Sequence, residues 1–331
     1  MPAQPRYSRL QLEQYYDRVR IPEPARVYDV SALTPEAQLS HLRLLIKHHL
    51  VTVPFENLTL HYSWHRVIST DAQHVFDKIV NQPGRGGYCM ENNSFFHFVL
   101  ASLGFDVYMV GSRVFESDEA GYGGTTHCLN IITIGDVRYA VDVAFGGNGP
   151  VHPYVLEEGL VQEHITPAQM RYRRGQLPGT TKEAGKVWVY EHRQRPDAPW
   201  CPMYCFADAQ VLPADVRTMN LAPATSRTSI FHKVVMCVRF TTGSKVDSTG
   251  ALEQQKGRDA TLAEIEGEID GVLITNGSNL KWRRKGEKKL ELNFASEEER
   301  LSAFETYYGI YMQEKDQLAI RGTTTEIATG P

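Results

Sequence analysis

Cysteine is scarce in this chain, with five residues among 331, at positions 89, 128, 201, 205 and 237. A small and odd number argues against a disulfide framework and predicts reduced thiols, as in a cytoplasmic protein. Cys201 and Cys205 form the one close pair. Because no second pair and no histidine cluster accompanies them in the sequence, we expect no zinc site there and no metal elsewhere.

A strong charge of either sign is also missing. The chain has 35 Lys and Arg against 39 Asp and Glu, a formal net charge of −4, so no basic field predicts binding to nucleic acid or to an anionic membrane. Apolar runs are short, since FFHFVL is broken by His97 and a bilayer span needs about 20 residues. The sequence MPAQPRYSRL lacks the pattern of a secretory signal. We therefore expect a cytoplasmic protein that acts on small molecules.

The first hundred residues show helical spacing of apolar side chains. Helices are predicted over 7–19, over 35–50 with Thr34 as N-cap, over 71–79, and from Cys89 to a C-terminal cap at Gly104. From residue 105 the period changes to two, which predicts strands over 105–115, 127–134 and 137–145 in an antiparallel sheet or barrel.

The rest of the chain contains both strand-like and irregular segments. Further strands are predicted over 186–190 and 233–241, whereas residues 155–185 are polar and irregular and are interpreted as a surface insertion. A capping box at Ser296 and Glu299 predicts a helix near the end, followed by a loosely held tail from residue 321. The basic run KWRRKGEKK, residues 281–289, predicts a solvated hairpin, with contact to an anionic ligand as the alternative.

The stretch GRGGYCMENN places Cys89 behind Gly84, Gly86 and Gly87, at the start of a predicted helix. An ordinary cysteine, with a pKa of about 8.5, is only about 3% thiolate at pH 7. The positive end of a helix dipole lowers thiol pKa values, so this position favours a nucleophilic thiolate. Arg85 is predicted to anchor the loop through a carboxylate, for which Glu91 is the nearest candidate. A small core cysteine after a glycine-rich turn is the alternative interpretation.

Downstream, THCLNIITIGDVRYAVDV predicts a hairpin with a two-residue turn at positions 135 and 136. Such a turn pairs Ile134 with Val137. In the same register Leu129 faces Asp142. His127, two residues before Leu129, becomes a diagonal neighbour of Asp142 on one sheet face, at about 7–8 Å between backbones. A buried structural histidine and an edge aspartate are the alternatives.

Cys89, His127 and Asp142 are the residue types needed for a thiolate activated by an imidazole whose tautomer a carboxylate fixes. At this point the sequence resembles the arylamine N-acetyltransferase family. RGGYCMENN is similar to the family pattern Arg-Gly-Gly-x-Cys-x-Glu-x-Asn, and VPFENLTL, TTHCLNI, YAVDVAFGGNGP and ERLSAFETYYGI extend the resemblance along the chain.

The resemblance implies an α+β fold with a papain-like arrangement of a Cys-His-Asp triad. Its three parts would be a helical bundle over 1–104 with the nucleophile, an antiparallel β-barrel over 105–212 with His and Asp, and an α/β lid over 213–331. It implies a catalytic triad of Cys89, His127 and Asp142. The expected activity, a reaction of xenobiotic metabolism, is ping-pong transfer of an acetyl group to arylamines, arylhydrazines or N-hydroxyarylamines. Acetyl-CoA would be the donor substrate, with no tightly bound cofactor.

By the same resemblance, Phe55 and Phe145 would line the acceptor site, and Gly123, Gly124 and Thr125 would lie near the pantetheine and phosphates of CoA. The sequence leaves the acyl group open between acetyl, propionyl and malonyl, and it leaves the oligomeric state open. Two other classes remain as alternatives: a cysteine amidase or other hydrolase with the same triad, and a redox-sensing protein with an oxidisable Cys89.

Overall fold

The computed structural model describes residues 5–181, 185–243 and 267–328. None of the helices in these ranges is both long and apolar enough to cross a bilayer. The α-helices of the described residues are α1 Arg9–Arg18, α2 Pro35–Thr52, α3 Ala72–Asn81, α4 Cys89–Ser102, α5 Pro213–Thr225, α6 Ile230–Lys233, α7 Glu297–Ala303 and α8 Glu314–Gln317.

Side-chain caps mark where the first helices begin. Ser8, Thr34 and Asp71 each accept a hydrogen bond from a backbone N–H group in the first turn of α1, α2 and α3, which satisfies donors that have no partner inside the helix. Gly104 follows α4 with a φ of +88°, a conformation that glycine adopts without steric cost. The four predicted N-terminal helices are thereby confirmed.

An antiparallel sheet of eight strands, in the order β5-β4-β3-β2-β9-β8-β7-β6, forms the centre of the molecule. Its strands are β2 Asp106–Ser117, β3 Gly121–Ile134, β4 Val137–Val141, β5 Tyr154–Val155, β6 Val161–Glu163, β7 Gln169–Gly175, β8 Val187–Arg193 and β9 Cys201–Val211. The side-chain amide of Gln162 joins the two edge strands, bonding to the backbone N–H and C=O of Val155 at 2.9 and 3.0 Å. The sheet is therefore a nearly closed barrel, as the sequence led us to expect.

The interpretation of residues 155–185 as a surface insertion is wrong, because β6 and β7 are barrel strands. Met170 and Tyr172 point into the barrel and are fully buried. The arginines that alternate with them point outward, where Arg171 bonds to Glu191 at 2.7 Å. Buried and outward-facing residues alternate in this part of the sequence. The outward-facing residues are arginines, which are also typical of loops, so the strand was not predicted.

A second antiparallel sheet has the order β1-β10-β11-β12-β13, formed by β1 Phe55–Glu56, β10 Met236–Thr242, β11 Ile269–Asn276, β12 Asn279–Arg284 and β13 Glu287–Asn293. Strand β1 comes from the helical part of the chain, and its Phe55 pairs with Val238 of β10. Phe55 also forms a parallel bridge with Gly87. The loop before Cys89 is thus tied through β1 to the C-terminal sheet.

The C-terminal segment, defined here as residues 314–328, is held by side chains from earlier in the chain. Trp64 Nε1 donates to the carbonyl oxygen of Lys315 at 2.8 Å, and Arg300 Nη2 donates to that of Thr325 at 2.9 Å. The prediction of a loosely held tail is therefore wrong for the described part of the tail, and its last residues lie outside the described ranges.

Candidate active site

Cys89 is the first residue of α4, a helix in which Cys89–Ala101 are all buried. The Glu91 carboxylate turns back and accepts a hydrogen bond from the Tyr88 backbone N–H at 3.2 Å, capping the helix. The helical hydrogen bonds begin with the N–H groups of Glu91 and Asn92, both donated to the Tyr88 carbonyl. The sulfur therefore lies at a positively polarised helix terminus, beside first-turn N–H groups that have no helical acceptor.

The predicted hairpin is confirmed in its register, since Ile134 pairs with Val137 and the ladder continues to Asn130 and Val141. Strand β4 ends at Val141, which places Asp142 just beyond the sheet instead of inside the predicted strand. His127 Nε2 lies 2.7 Å from Asp142 Oδ2, and both side chains are buried. The diagonal contact expected from the sequence is thus formed.

The side chain of Cys89 lies near the imidazole of His127 and helps to raise its pKa. Because Nε2 faces Asp142, Nδ1 is the ring nitrogen that remains for Cys89. The Cys89 sulfur additionally lies 3.6 Å from the carbonyl oxygen of Thr126. The structure therefore brings the three predicted site residues into one contiguous chain of contacts, and none of them is more than 4% exposed.

Burial alone would lower the pKa of His127, because an imidazolium loses its hydration in the interior. The charge and hydrogen bond of Asp142, helped by Cys89, outweigh burial and raise the pKa of His127 to about 10. The stability this gives to the fold is complete below the ordinary pKa of 6.5 and is lost as the pH rises through about 10. At neutral pH the ring is an imidazolium, the partner that stabilises a thiolate.

Asn93 fixes the orientation of Asp142. Its Nδ2 donates to Asp142 Oδ1 at 2.9 Å, and its Oδ1 accepts from the Val143 backbone N–H at 3.0 Å. The Ala144 N–H also donates to Asp142 Oδ1 at 2.9 Å, which leaves Asp142 Oδ2 for His127. Asn93 is part of the sequence motif, but the sequence analysis gave it no role, because no neighbouring residue indicates that it reaches Asp142.

Phe145, predicted to line the acceptor site, lies edge-on against His127 with ring centroids 5.3 Å apart. Tyr204 packs against Phe145 at 5.0 Å and against His127 at 5.3 Å. Sequence reasoning missed Tyr204 because it missed β9. The run of Tyr204, Cys205 and Phe206, all three buried and two of them aromatic, was the signal that could have found this strand.

Phe55, the other predicted pocket residue, belongs to the apolar cluster that contains Cys89. It faces Phe231 at a centroid distance of 6.2 Å, and Phe231 contacts Tyr88 edge-on at 5.0 Å. Phe55 and Phe231 are only partly buried and are packed against the cluster that contains Cys89. That Phe55 forms a wall of the acceptor site stays a prediction. Phe231 was not predicted, since the short helix α6 carries no sequence signal that connects it to Cys89.

Gly123, Gly124 and Thr125 lie on β3 directly before His127, and all three are at least partly exposed. The Gly123 carbonyl accepts a hydrogen bond from Arg113 Nη1 at 3.0 Å. A Cβ atom at Gly123 would come within 2.3 Å of the Glu116 carboxylate, so a side chain there would displace Glu116. These residues thus lie on the strand that carries His127, and their contact with CoA stays a prediction.

The expectation that Glu91 anchors Arg85 is wrong. Arg85 Nε bonds to Glu56 Oε1 at 2.9 Å, whereas Glu91 Oε1 bonds to Lys78 Nζ at 2.7 Å. Lys78 Nζ also lies 3.5 Å from Glu56 Oε1, so the four charges form one buried network. Glu91 is occupied with the helix cap, and Glu56 reaches the arginine because β1 runs beside the glycine loop.

The pKa values of the two carboxyl groups in this network shift in opposite directions. Burial by itself raises the pKa of Glu56, but the charges of Arg85 and Lys78 outweigh burial and lower it to about 2. At Glu91 burial dominates, and the pKa is raised despite the charge of Lys78. Glu56 is thus the firmly ionised member that holds the loop in front of Cys89.

Replacing Glu56 with glutamine is expected to lower the free energy of unfolding by about 3–5 kcal/mol, because two buried cations lose a counter-charge. Because folding lowers the pKa of Glu56, its ionisation stabilises the fold at a pH above the ordinary pKa of 4.5. This stabilisation is lost as the pH falls through about 2. Urea unfolding of both proteins at several pH values between 7 and 3 measures the difference, which should shrink with acid.

The matched control is Glu13→Gln, which removes an exposed carboxylate bonded to Arg9 at 3.0 Å. Such a surface pair contributes about 0–1 kcal/mol. The importance given to the buried network would be contradicted if both variants lost the same free energy of unfolding. It would also be contradicted if the free energy lost by Glu56→Gln did not change with pH.

Comparison with known proteins identifies the family of the chain. A family model described as N-acetyltransferase matches residues 38–266. The chain is 28% identical over 341 residues to N-malonyltransferase FDB2 of Gibberella moniliformis, covering 95% of this chain and 92% of that protein. It is 33% identical over 259 residues to N-malonyltransferase FDB2 of Fusarium pseudograminearum, covering 71% and 75%.

Solved structures show the same fold. The arylamine N-acetyltransferase from Mycobacterium abscessus superposes with a TM-score of 0.73 at 21% identity, covering 96% of this chain and 98% of that chain. The Mycobacterium marinum arylamine N-acetyltransferase in complex with CoA gives a TM-score of 0.71 at 24% identity, covering 93% and 98%. The resemblance seen in the sequence is confirmed, and the chain belongs to the arylamine N-acetyltransferase family.

Proposed function

We propose that this protein transfers an acetyl group from acetyl-CoA to the nitrogen of an arylamine, arylhydrazine or N-hydroxyarylamine through an acyl intermediate on Cys89. The observation that carries the proposal is the arrangement in which Cys89, the first residue of α4, lies near the imidazole of His127, whose Nε2 lies 2.7 Å from Asp142. A surface-exposed redox thiol would need no such partners. Acyl transfer through a cysteine uses all three, as the nucleophile, its base and the group that orients the base.

In the first half-reaction the Cys89 thiolate attacks the thioester carbonyl carbon of acetyl-CoA. The first-turn N–H groups of α4 are placed to donate to the oxyanion that forms. The carbon–sulfur bond to CoA then breaks, and the CoA sulfur leaves with the proton that His127 carries. Because one thioester replaces another, this step needs the correct protonation state and position more than a driving force.

In the second half-reaction the aromatic amine attacks the acetyl carbonyl on Cys89. The now neutral His127 takes the proton lost from nitrogen, and Cys89 leaves as a thiolate beside a restored imidazolium. The product is an N-acetylated amine. Phe55 on one side and Phe145 beside His127 supply flat apolar surfaces on which an aromatic ring gains from offset and edge contacts.

Hydrolysis of the acyl-enzyme is the competing reaction for the same three residues. The site favours amine over water because Cys89 and His127 are buried among apolar and aromatic side chains. An acyl-cysteine there is shielded from solvent until a ring-shaped acceptor enters. A hydrolase would need a polar path to the sulfur.

Malonyl transfer is the second candidate. It is favoured by two of the matched relatives, which are N-malonyltransferases. A malonyl group carries a carboxylate, and Arg113 brings a cation to the stretch of β3 that holds Gly123. The two candidates share Cys89, His127 and Asp142 and differ only in the acyl group that Cys89 accepts.

Intact-protein mass spectrometry after incubation with acetyl-CoA, malonyl-CoA or both together tests the proposal. We expect a gain of one acetyl group, located on Cys89, and CoA release that accelerates at least about tenfold when a saturating aromatic amine is added. A malonyl adduct that dominates the competition would select the second candidate. Fast multiple-turnover release of CoA without amine, beyond one equivalent per enzyme, would indicate a hydrolase. Absence of any adduct would contradict both transfer reactions.

A further inference from the structure

The C-terminal segment reaches the wall of the active site through one buried histidine. Thr325 Oγ1 lies 3.0 Å from His61 Nδ1, and His61 Nε2 lies 3.0 Å from the carbonyl oxygen of Phe231. His61 is only 3% exposed. Thr325 is itself held in place by Arg300 Nη2, which donates to its carbonyl oxygen at 2.9 Å. A residue near the chain end is thereby connected to a side chain beside Cys89.

The direction of these hydrogen bonds follows from the chemistry of the partners. Asn57 Nδ2 lies 3.2 Å from His61 Nε2, but its two hydrogens are already donated to the carbonyls of Phe231 and Val234. A carbonyl oxygen only accepts, so His61 Nε2 carries the proton and donates it to Phe231. Burial, together with the charges of Arg300 and His232, lowers the pKa of His61 to about 4. The neutral ring has a single proton, so Nδ1 is an acceptor and the Thr325 hydroxyl donates to it. The chain therefore runs in one direction, from Thr325 to His61 to Phe231.

The carbonyl of Phe231 is fixed from a second side. Asn57 Nδ2 donates to it at 2.9 Å and to the Val234 carbonyl at 2.8 Å. The Phe231 ring then packs against Phe55 at 6.2 Å and against Tyr88, the residue before Cys89, at 5.0 Å. The position of helix α6, and with it the ring that faces the site, depends on how firmly these donors hold one oxygen.

We propose that His61 is a positioning residue through which Thr325 fixes the Phe231 wall of the acceptor site. This inference rests on the proposed function. The C-terminal segment then determines how tightly an aromatic amine is held beside acyl-Cys89. It does not determine how fast Cys89 accepts the acyl group, since that step depends on the sulfur, His127 and the first turn of α4.

Thr325→Val tests this, because valine keeps the branched shape and removes the hydroxyl. His61 Nδ1 then loses its donor in a buried place. We expect the KM for a bulky aromatic amine to rise about 5- to 15-fold, while the single-turnover rate of CoA release in the absence of amine stays within about twofold. Thr325→Ser retains the hydroxyl donor to His61, so it is expected to keep the wild-type KM for the amine.

Trp64→Phe is the matched control, since it removes a different tether of the same segment, the bond from Nε1 to the Lys315 carbonyl at 2.8 Å. Trp64 is 69% exposed, so its loss is expected to leave the amine KM unchanged. If Thr325→Val and Trp64→Phe raise the KM equally, the segment is only a general brace and the inference is overturned. It is also overturned if Thr325→Val slows acylation as much as transfer to the amine.

The two proposals fail in different ways. A wild-type protein that transfers acyl groups normally, with a Thr325→Val variant of unchanged amine KM, would overturn this inference alone. A wild-type protein whose steady-state release of CoA does not depend on amine would overturn the proposed function, and the inference would fall with it.

Discussion

Cys89→Ser is expected to lower kcat/KM for acyl transfer at least about 10,000-fold, because a serine hydroxyl stays un-ionised at neutral pH and is a poor nucleophile toward a thioester. Serine is close to cysteine in size, so the buried start of α4 stays packed and the loss reports on chemistry. Steady-state CoA release with an aromatic amine measures the effect, and intact mass shows whether any acyl group remains attached.

Cys201→Ser is the control for this substitution, since Cys201 is an exposed thiol on β9. It should retain full activity and full acylation. A Cys89→Ser protein that still gained an acyl group from acyl-CoA would place the nucleophile elsewhere and remove the basis of the proposed mechanism.

Asp142→Asn is expected to reduce kcat by about 1,000- to 10,000-fold with little change in the fold. Two donors, Asn93 Nδ2 and the Ala144 N–H, already point at Oδ1. The new amide therefore keeps its oxygen there and turns its NH₂ group toward His127. Nε2 must then accept, and the proton moves to Nδ1, where it faces Cys89. A ring in that tautomer cannot take the thiol proton.

Asp136→Asn, at the exposed tip of the same hairpin, is the matched control, because asparagine suits such a turn as well as aspartate does. We expect it to leave kcat and the pH profile unchanged. An Asp142→Asn enzyme with near-normal kcat would show that the carboxylate does not set the state of His127. Measured pH–rate profiles for acylation would separate a lost imidazolium from a lost fold.

The sequence predicted the part of the site that depends on local register. Once the turn at positions 135 and 136 was located, the period of two in a strand placed His127 and Asp142 on one face, and their contact is confirmed. The N-terminal helices were predictable for the same reason, since caps such as Thr34 and Asp71 act within a single turn.

What sequence reasoning could not predict depends on chain segments far apart. Glu56 and Arg85 are separated by 29 positions, and no local pattern favours that pairing over one with Glu91. Thr325 and His61 are 264 positions apart. Strand β7 was missed for a different reason: its outward side chains are arginines, whose long stems tolerate a sheet surface but whose charge resembles that of a loop.

The pairing of β1 limits how the site can open. The Glu56 N–H donates to the Gly87 carbonyl at 3.0 Å, and the Gly87 N–H donates to the Pro54 carbonyl at 3.3 Å. At Gly86 a Cβ atom would lie 1.9 Å from the Pro54 carbonyl oxygen, so the two backbones touch. Because β1 also pairs with β10, any movement of the C-terminal sheet at β1 would move the loop before Cys89 as well.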